Sequence, residues 1–240
     1  MAMSSLTVSM PAYNEAANIA EMIELVKTRT ANLTDDLEII VVDDGSKDST
    51  ADVVREIAQR DRRVRLIEHA RNQGYGAAVA DGVWAASKAL IFFTDSDLQF
   101  DLQELPRFMS RLDEADMIVG YRYERSDPWY RTLFGNGWSW LVNLMFGYTA
   151  RDIDCAFKLF RREIIEQVQV GARGATFSAE FLVRAKRAGF RLVEEPVSHY
   201  PRKAGRQTGA NIHVILRAFR ELFKLRLRLW REPKQAHPRS

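Results

Sequence analysis

The apolar run Ala89-Leu90-Ile91-Phe92-Phe93 stops abruptly at Thr94-Asp95-Ser96-Asp97-Leu98-Gln99, which offers two carboxylates and an amide. A short continuous apolar run suits a strand buried on both faces of a sheet. Such strands belong to open α/β sheets, where ligands gather beyond the carboxyl ends. Alternate residues of an extended segment share a face. Asp95, Asp97 and Gln99 are therefore expected to point one way and to offer oxygen ligands to a hard divalent cation, Mg2+ or Mn2+. Taken alone, the stretch also reads as an acidic turn whose Asp101 caps the next helix.

The rest of the first half supplies the context. Leu6–Met10 reads as a strand leaving through Pro11-Ala12-Tyr13-Asn14-Glu15, and Leu37–Val42 as a strand ending in Asp43-Asp44-Gly45-Ser46. Val64–Ile67 is a third strand and Met117–Gly120 a fifth, with the Ala89–Phe93 run between them. Helical periodicity fills the gaps, from about Glu15 to Arg29, from Asp48, from Gly76 to about Ser87, and near Leu102–Leu112. This alternation predicts a doubly wound, mostly parallel sheet. Parallel strands carry the turns at Pro11–Glu15, Asp43-Asp44 and Asp95–Gln99 to one rim. There carboxylates can accept ribose hydroxyls and base N–H groups, Tyr13 can stack on a ring, and a cation can bridge phosphates. Gly74-Tyr75-Gly76 lacks the third glycine of a dinucleotide fingerprint and follows the third strand instead of the first. It is expected to be a tight turn that packs a small-residue helix on the sheet.

After Arg122 the rhythm changes. No charge falls between Arg131 and Arg151, but Gly135, Asn136, Gly137, Ser139, Asn143 and Gly147 dilute the stretch, so Pro128–Gly147 reads as an interfacial or buried helix. Phe157–Phe160 and Phe190–Tyr200 are expected strands, the latter at an edge because of Pro196, with a helix over Thr176–Ala188. The single Cys155 excludes a disulfide framework and a cysteine zinc site and fits a reducing compartment; no secretion signal opens the chain. The net charge of +3 divides unevenly. From Gly209 onward eight basic residues face two acidic ones, a tail of +6 against −3 for the remainder. A mildly acidic body argues against nucleic-acid binding. The predicted helix from Asn211 to about Trp230 combines a broad apolar face with basic residues, which suits an anionic membrane surface. The alternative is packing on the domain or on a second subunit, as in a homodimer. The expected division is one domain over residues 1–210, halved near 122, and a basic amphipathic tail over 211–240.

The ordered motifs carry a resemblance. Leu6–Val8 with Pro11-Ala12-Tyr13-Asn14-Glu15, Ile40-Val41-Val42-Asp43-Asp44-Gly45-Ser46, Asn72-Gln73-Gly74 and Asp95-Ser96-Asp97-Leu98-Gln99 resemble family 2 glycosyltransferases of GT-A fold. Asp154-Cys155-Ala156-Phe157-Lys158 and Arg202–Thr208 are similar to the branch that contains dolichyl-phosphate mannose synthase and bacterial polyprenyl-phosphate glycosyltransferases. The resemblance implies a GT-A type, Rossmann-like α/β sheet with a C-terminal amphipathic helix. It implies nucleotide contacts from Pro11, Tyr13, Glu15, Asp43, Asp44 and Asp95, and a metal held by Asp97 and Gln99. It also implies acceptor-phosphate contacts from Arg122, Arg131 and Arg202. The family's Asp-Ala-Asp is Asp-Ser-Asp here, and Gly135 stands where relatives often place a serine.

Elementary chemistry narrows the acceptor. A lipid phosphate is already anionic near neutral pH, so it needs no general base, whereas a sugar hydroxyl does. Its site needs positive charge to hold two phosphates together and a metal for the leaving diphosphate. Arg122, Arg131, Arg202 and Arg206 offer the forked geometry that phosphate oxygens prefer. The expected activity is inverting, metal-dependent transfer of one sugar from a UDP- or GDP-sugar to a polyprenyl phosphate, by an enzyme peripheral on the cytoplasmic face of a membrane. The rivals are a hydroxyl acceptor, with Glu180 or Asp154 as base, and an inert membrane scaffold that retains a nucleotide pocket. A sugar nucleotidyltransferase would carry a glycine-rich N-terminal loop with a nearby lysine, which is absent from this sequence.

Overall fold

The computed structural model describes residues 5–125, 129–202 and 212–232, with side chains outside 124–133 and 203–216. The first half alternates as its hydrophobic pattern requires: β1 (Leu6–Ala12), α1 (Ile19–Thr30), β2 (Leu37–Asp43), α2 (Thr50–Arg60), β3 (Val64–Glu68), α3 (Tyr75–Trp84), β4 (Leu90–Phe93), α4 (Leu105–Ser110) and β5 (Met117–Arg125). The second half continues with α5 (Trp129–Phe146), β6 (Lys158–Arg161), α6 (Glu163–Gln167), α7 (Phe177–Arg187), β7 (Leu192–His199) and α8 (Ile212–Arg231).

The sheet runs β3-β2-β1-β4-β6-β5-β7. Every pairing is parallel except those of β6, which enters antiparallel between β4 and β5. All residues of β1, β2 and β4 are buried, as near-continuous apolar strands covered on both faces must be. Pro196 sits in β7 at the sheet edge, where a missing N–H breaks no ladder. The small-residue helix α3 lies close on the sheet: a Cβ at Gly82 would come 2.3 Å from Ser9 Oγ.

Beneath the β4 end the core is aromatic. Phe157 meets Phe92, Phe108 and Phe100 at ring separations of 4.6, 4.7 and 5.8 Å, in edge or tilted arrangements. Phe157 immediately precedes β6, so the inserted strand delivers the ring that supports the acidic turn.

Helix α8 has two apolar stripes on different sides. Ala218, Leu222, Leu225 and Leu229 are buried, at the i, i+4, i+7, i+11 spacing of one helical face. Arg184 pairs with Glu232 at 2.8 Å and Thr176 Oγ1 donates to Glu221 at 2.9 Å, fixing α8 against α7. Phe219, Phe223, Leu227 and Trp230 form the second stripe and are exposed. The helix is thus packed on the domain along one side and open along another. Among the described residues, no helix is long and apolar enough to cross a membrane.

Candidate active site at the strand ends

The ends of β1 and β2 lie level, Ala12 opposite Asp43, while β4 stops at Phe93 opposite Ser9. The chain after β4 therefore advances along β1. Thr94 N donates to Ser9 O at 3.1 Å, and Ser96 Oγ to Pro11 O at 2.8 Å. This stretch is not extended, which corrects the argument from alternation. Leu98 has φ +61°, and Asp97 Oδ1 accepts from Gln99 N at 3.2 Å, so residues 96–99 form a tight bend. Asn14, after β1, also has a positive φ of +57°, held by Lys47 N and Ser46 Oγ. Left-handed backbone at residues other than glycine costs about 1–3 kcal/mol each and concentrates at functional sites. Here both instances lie on the same rim.

The acidic residues of the rim have distinct environments. Asp43 is buried; its Oδ2 accepts from Ser46 N at 3.0 Å, and its Oδ1 has no hydrogen-bond partner among the described residues. A buried carboxylate oxygen left this way needs a donor, which a water or a ligand can supply. Asp44 is the opposite case. Its Oδ1 accepts from Gln73 N at 2.8 Å and faces His69 Nδ1 at 2.7 Å, while Oδ2 accepts from Gly74 N at 2.8 Å. Its oxygens are committed to shaping the Arg71–Gly74 loop, so direct nucleotide contact is not the role this geometry suggests. Gly45 between these turns has φ +68°, and any Cβ there would strike the Arg71-Asn72 backbone at 2.6 Å.

Asp95 accepts from Tyr75 Oη at 2.8 Å; burial and the neighbouring Asp97 charge push its carboxyl up to about 7. Asp97 Oδ2 accepts from Arg202 Nη2 at 3.0 Å, and the same nitrogen donates to Glu15 Oε1 at 2.7 Å. Burial raises the Glu15 carboxyl, against the hydrogen bond that Asn18 donates to its Oε2 at 2.7 Å. Gln99 Nε2 donates to Tyr200 O at 2.8 Å, placing the amide oxygen on the far side of that bond. Pro11 is buried and Tyr13 half-buried on the same rim.

The arginines divide. Arg202 lies at the acidic turns. Arg122, expected to meet an acceptor phosphate, has its fork on Asp152, with Nε and Nη2 at 2.8 and 2.9 Å from the two carboxylate oxygens. Burial opposes its charge, but Asp152 holds the guanidinium pKa above the ordinary value. The side chain of Arg131 and all of Arg206 lie outside the described residues. Glu180 is buried and accepts from Arg184 Nε at 2.7 Å, Ala172 N at 2.9 Å and Gly171 N at 3.2 Å, the commitments of a structural carboxylate. Asp154 is exposed.

Sequence reasoning missed three supporting groups. His69 Nε2 lies 2.9 Å from Asp81, which Arg173 grips at 2.9 and 2.6 Å, so a chain of polar contacts runs from Asp44 to the loop before α7. Tyr75 orients Asp95. Lys158, buried in β6, donates to Cys155 O and has its Nζ 5.8 Å from the Phe93 ring centre. The antiparallel register, which only the structure shows, sets Lys158 opposite Phe93.

The donor set fits a hard cation. Asp97, Asp95 and Gln99 offer oxygens, and a positive group already sits on Asp97. Among the described residues no three acidic, histidine or cysteine side chains converge, so a cation held here would complete its shell with phosphate oxygens and water, as Mg2+ commonly does.

The seven-stranded, mostly parallel sheet with helices on its faces is an α/β fold of GT-A type. The model of Glycosyl transferase family 2 matches residues 7–169, more than half of the chain. The chain belongs to that family. A dodecaprenyl-phosphate galacturonate synthase of Rhizobium johnstonii is 29% identical over 225 residues, covering 92% of this chain and 65% of the relative. The chain thus spans just under two thirds of that relative's length. Among solved structures, glucosyl-3-phosphoglycerate synthase from Mycobacterium tuberculosis, in complex with Mn2+, UDP and phosphoglyceric acid, superposes with a TM-score of 0.70 at 19% identity, over 96% of this chain and 80% of that one. The mannosyltransferase PcManGT from Pyrobaculum calidifontis, in complex with GDP-Man and Mn2+, gives 0.63 at 19% identity, over 96% and 65%. At these identities the two structures establish the fold.

Proposed function

We propose that the protein transfers one sugar, with inversion, from a nucleoside-diphosphate sugar to a polyprenyl phosphate at a membrane surface. The observation that carries this reading is the buried Oδ1 of Asp43, without a partner among the described residues, on the same rim as Asp95 and Asp97. In this reading Asp43 accepts a base N–H, Tyr13 stacks on the base, Pro11 and Glu15 border the nucleotide, and Asp95 meets the ribose. Asp97 and Gln99 hold Mg2+ or Mn2+, which would neutralise the leaving diphosphate. Arg202 and Arg131 draw the acceptor phosphate to the site. An acceptor phosphate oxygen attacks the anomeric carbon. The bond from that carbon to the diphosphate oxygen breaks with its electron pair, and one displacement inverts the centre. No proton need be removed from an ionised phosphate.

The similarity to a dodecaprenyl-phosphate galacturonate synthase supports a lipid-phosphate acceptor. The exposed Phe219, Phe223, Leu227 and Trp230 stripe, with basic residues alongside, supports approach to an anionic bilayer. The hydroxyl-acceptor rival loses one of its two bases, since Glu180 is committed within the protein. The test is direct: purified protein, labelled UDP- or GDP-sugars, Mn2+, and either undecaprenyl or dolichyl phosphate. A lipid-linked product that is labile to mild acid is expected. Transfer to free sugar hydroxyls with no lipid-linked product would replace this reading with its rival.

A further inference from the structure

One guanidinium bridges the turns after β1 and β4. Arg202 Nη2 is 2.7 Å from Glu15 Oε1 and 3.0 Å from Asp97 Oδ2, and the two carboxylates are 5% and 7% exposed. Two buried anions this close to one nitrogen repel each other strongly in a medium less polar than water. The Arg202 guanidinium lies against both carboxylates and offsets their charge.

We propose that Arg202 is a displaceable counter-ion, occupying at Asp97 the charge position that a divalent cation takes and leaving that carboxylate when the cation binds. The inference rests on the reading of Asp97 as a cation ligand.

The surroundings suit an exchange confined to the side chain. Tyr200 is clamped to the acidic turn on both sides, its N–H donating to Gln99 O and its carbonyl accepting from Gln99 Nε2, each at 2.8 Å. Residue 202 is therefore tethered two positions from a fixed point, and the flexible arginine stem can cover the remaining distance. Glu15 is held independently, through the bond from Asn18 to its Oε2 and the bond from its own N–H to Thr50 Oγ1 at 2.9 Å. Arg202 can release Asp97 and keep Glu15, so the pocket does not lose both anchors at once. Two cations cannot share one carboxylate oxygen without mutual repulsion, so guanidinium and metal are alternatives at Asp97 Oδ2.

The experiment titrates the full chain with Mn2+ alone, following free Mn2+ by electron paramagnetic resonance, for wild type, R202A, R202Q, R202K and D97N. Circular dichroism and thermal melts establish that each variant is folded; if R202A is not, R202Q and R202K carry the comparison. Removing the competing charge should tighten Mn2+ binding roughly tenfold in R202A and R202Q, with R202K close to wild type, and D97N should lose the site. Equal or weaker Mn2+ binding by R202A and R202Q, with D97N still abolishing it, overturns the exchange and leaves the cation site standing. Unchanged binding by D97N overturns both.

Discussion

Ser96 Oγ donates to Pro11 O at 2.8 Å, a buried bond that joins the acidic turn to the end of β1 across 85 residues of sequence. It gives the serine of Asp95-Ser96-Asp97 a purpose where the family's pattern has alanine. Ser96→Ala should cost about 1 kcal/mol, the net worth of one such bond, and lower Tm by about 2–4 °C in a chain of this size. A melt of the variant beside wild type measures it. An unchanged Tm would show that the turn is held by its other bonds, those of Thr94, Asp97 and Gln99.

The Arg122–Asp152 pair should behave as a buried structural unit. Its side chains are 15% and 5% exposed, and the fork is bidentate. Asp152→Ala strands a buried cation and should cost about 3–5 kcal/mol. Arg122→Ala should cost a similar amount, and the double variant much less than the sum of the two. Denaturant unfolding of the four proteins gives the coupling. Additive losses would mean that the two residues act separately and would return Arg122 to the phosphate role.

Asp97→Ala should lower sugar transfer by at least about 10²-fold, the scale of losing one preorganised charge contact, and excess chelator should do the same to wild type. The fold should persist, because Arg202 retains Glu15 as a partner. Wild-type turnover in either case would sink a metal-dependent mechanism.

Cys155 should be inert in the native protein. Burial, with Asp152 nearby, pushes its thiol up to about 12, so it stays protonated where an ordinary thiol near 8.5 would ionise. The sign of the stability effect follows. Below about pH 8.5 both folded and unfolded thiols are protonated and nothing is gained or lost; above it the unfolded state ionises first, and stability falls as pH rises toward 12. Cys155→Ala should flatten that alkaline limb. A thiol reagent at pH 8 should label wild type only as fast as it unfolds, and rapid native labelling would contradict the burial.

Most strands and their carboxyl-end turns could be read in advance because runs such as Leu37–Val42 are apolar without interruption, which only a doubly covered strand explains. The rim that gathers Asp43, Asp95 and Asp97 follows from parallel connectivity alone. What escaped depends on distant partners. Nothing local to Lys158–Arg161 says that it pairs antiparallel between β4 and β5. Nothing local to Asp44 says that its oxygens serve the Gln73 and Gly74 amides. Arg202 and Asp97 are 105 residues apart, and the charge-to-charge contact between them has no periodicity to betray it. In α8 the sequence shows one broad apolar face, whereas packing separates it into a stripe turned inward and another turned outward.

That division governs how membrane attachment should be tested. Deleting residues 217–240 would remove Leu222, Leu225 and Leu229 from the core, and truncating even one buried leucine commonly costs about 2–5 kcal/mol. Such a protein would confound unfolding with release. Substitutions confined to the outward stripe avoid this. Phe223, Leu227 and Trp230 are 58%, 56% and 76% exposed, and Arg220, Lys224 and Arg231 follow the stripe one position on, all exposed. Helix α5 adds exposed Trp140 and Leu144, and its Trp138 meets Phe219 of α8 at 6.0 Å, so the two helices touch at this face. An apolar strip bordered by cations suits the boundary between anionic headgroups and acyl chains, where each basic residue contributes about 1 kcal/mol. The triple variant Phe223→Ser, Leu227→Ser, Trp230→Ser should keep its Tm within a few degrees and lose most co-sedimentation with anionic vesicles. Replacing Arg220, Lys224 and Arg231 by Gln should weaken binding to anionic vesicles and reduce its salt dependence, while leaving the weak binding to neutral vesicles unchanged. Transfer to a long-chain polyprenyl phosphate in vesicles should fall in both variants, and transfer to a short water-soluble analogue should not. Full co-sedimentation of the triple serine variant would move the contact from α8 to the uncharged α5 face.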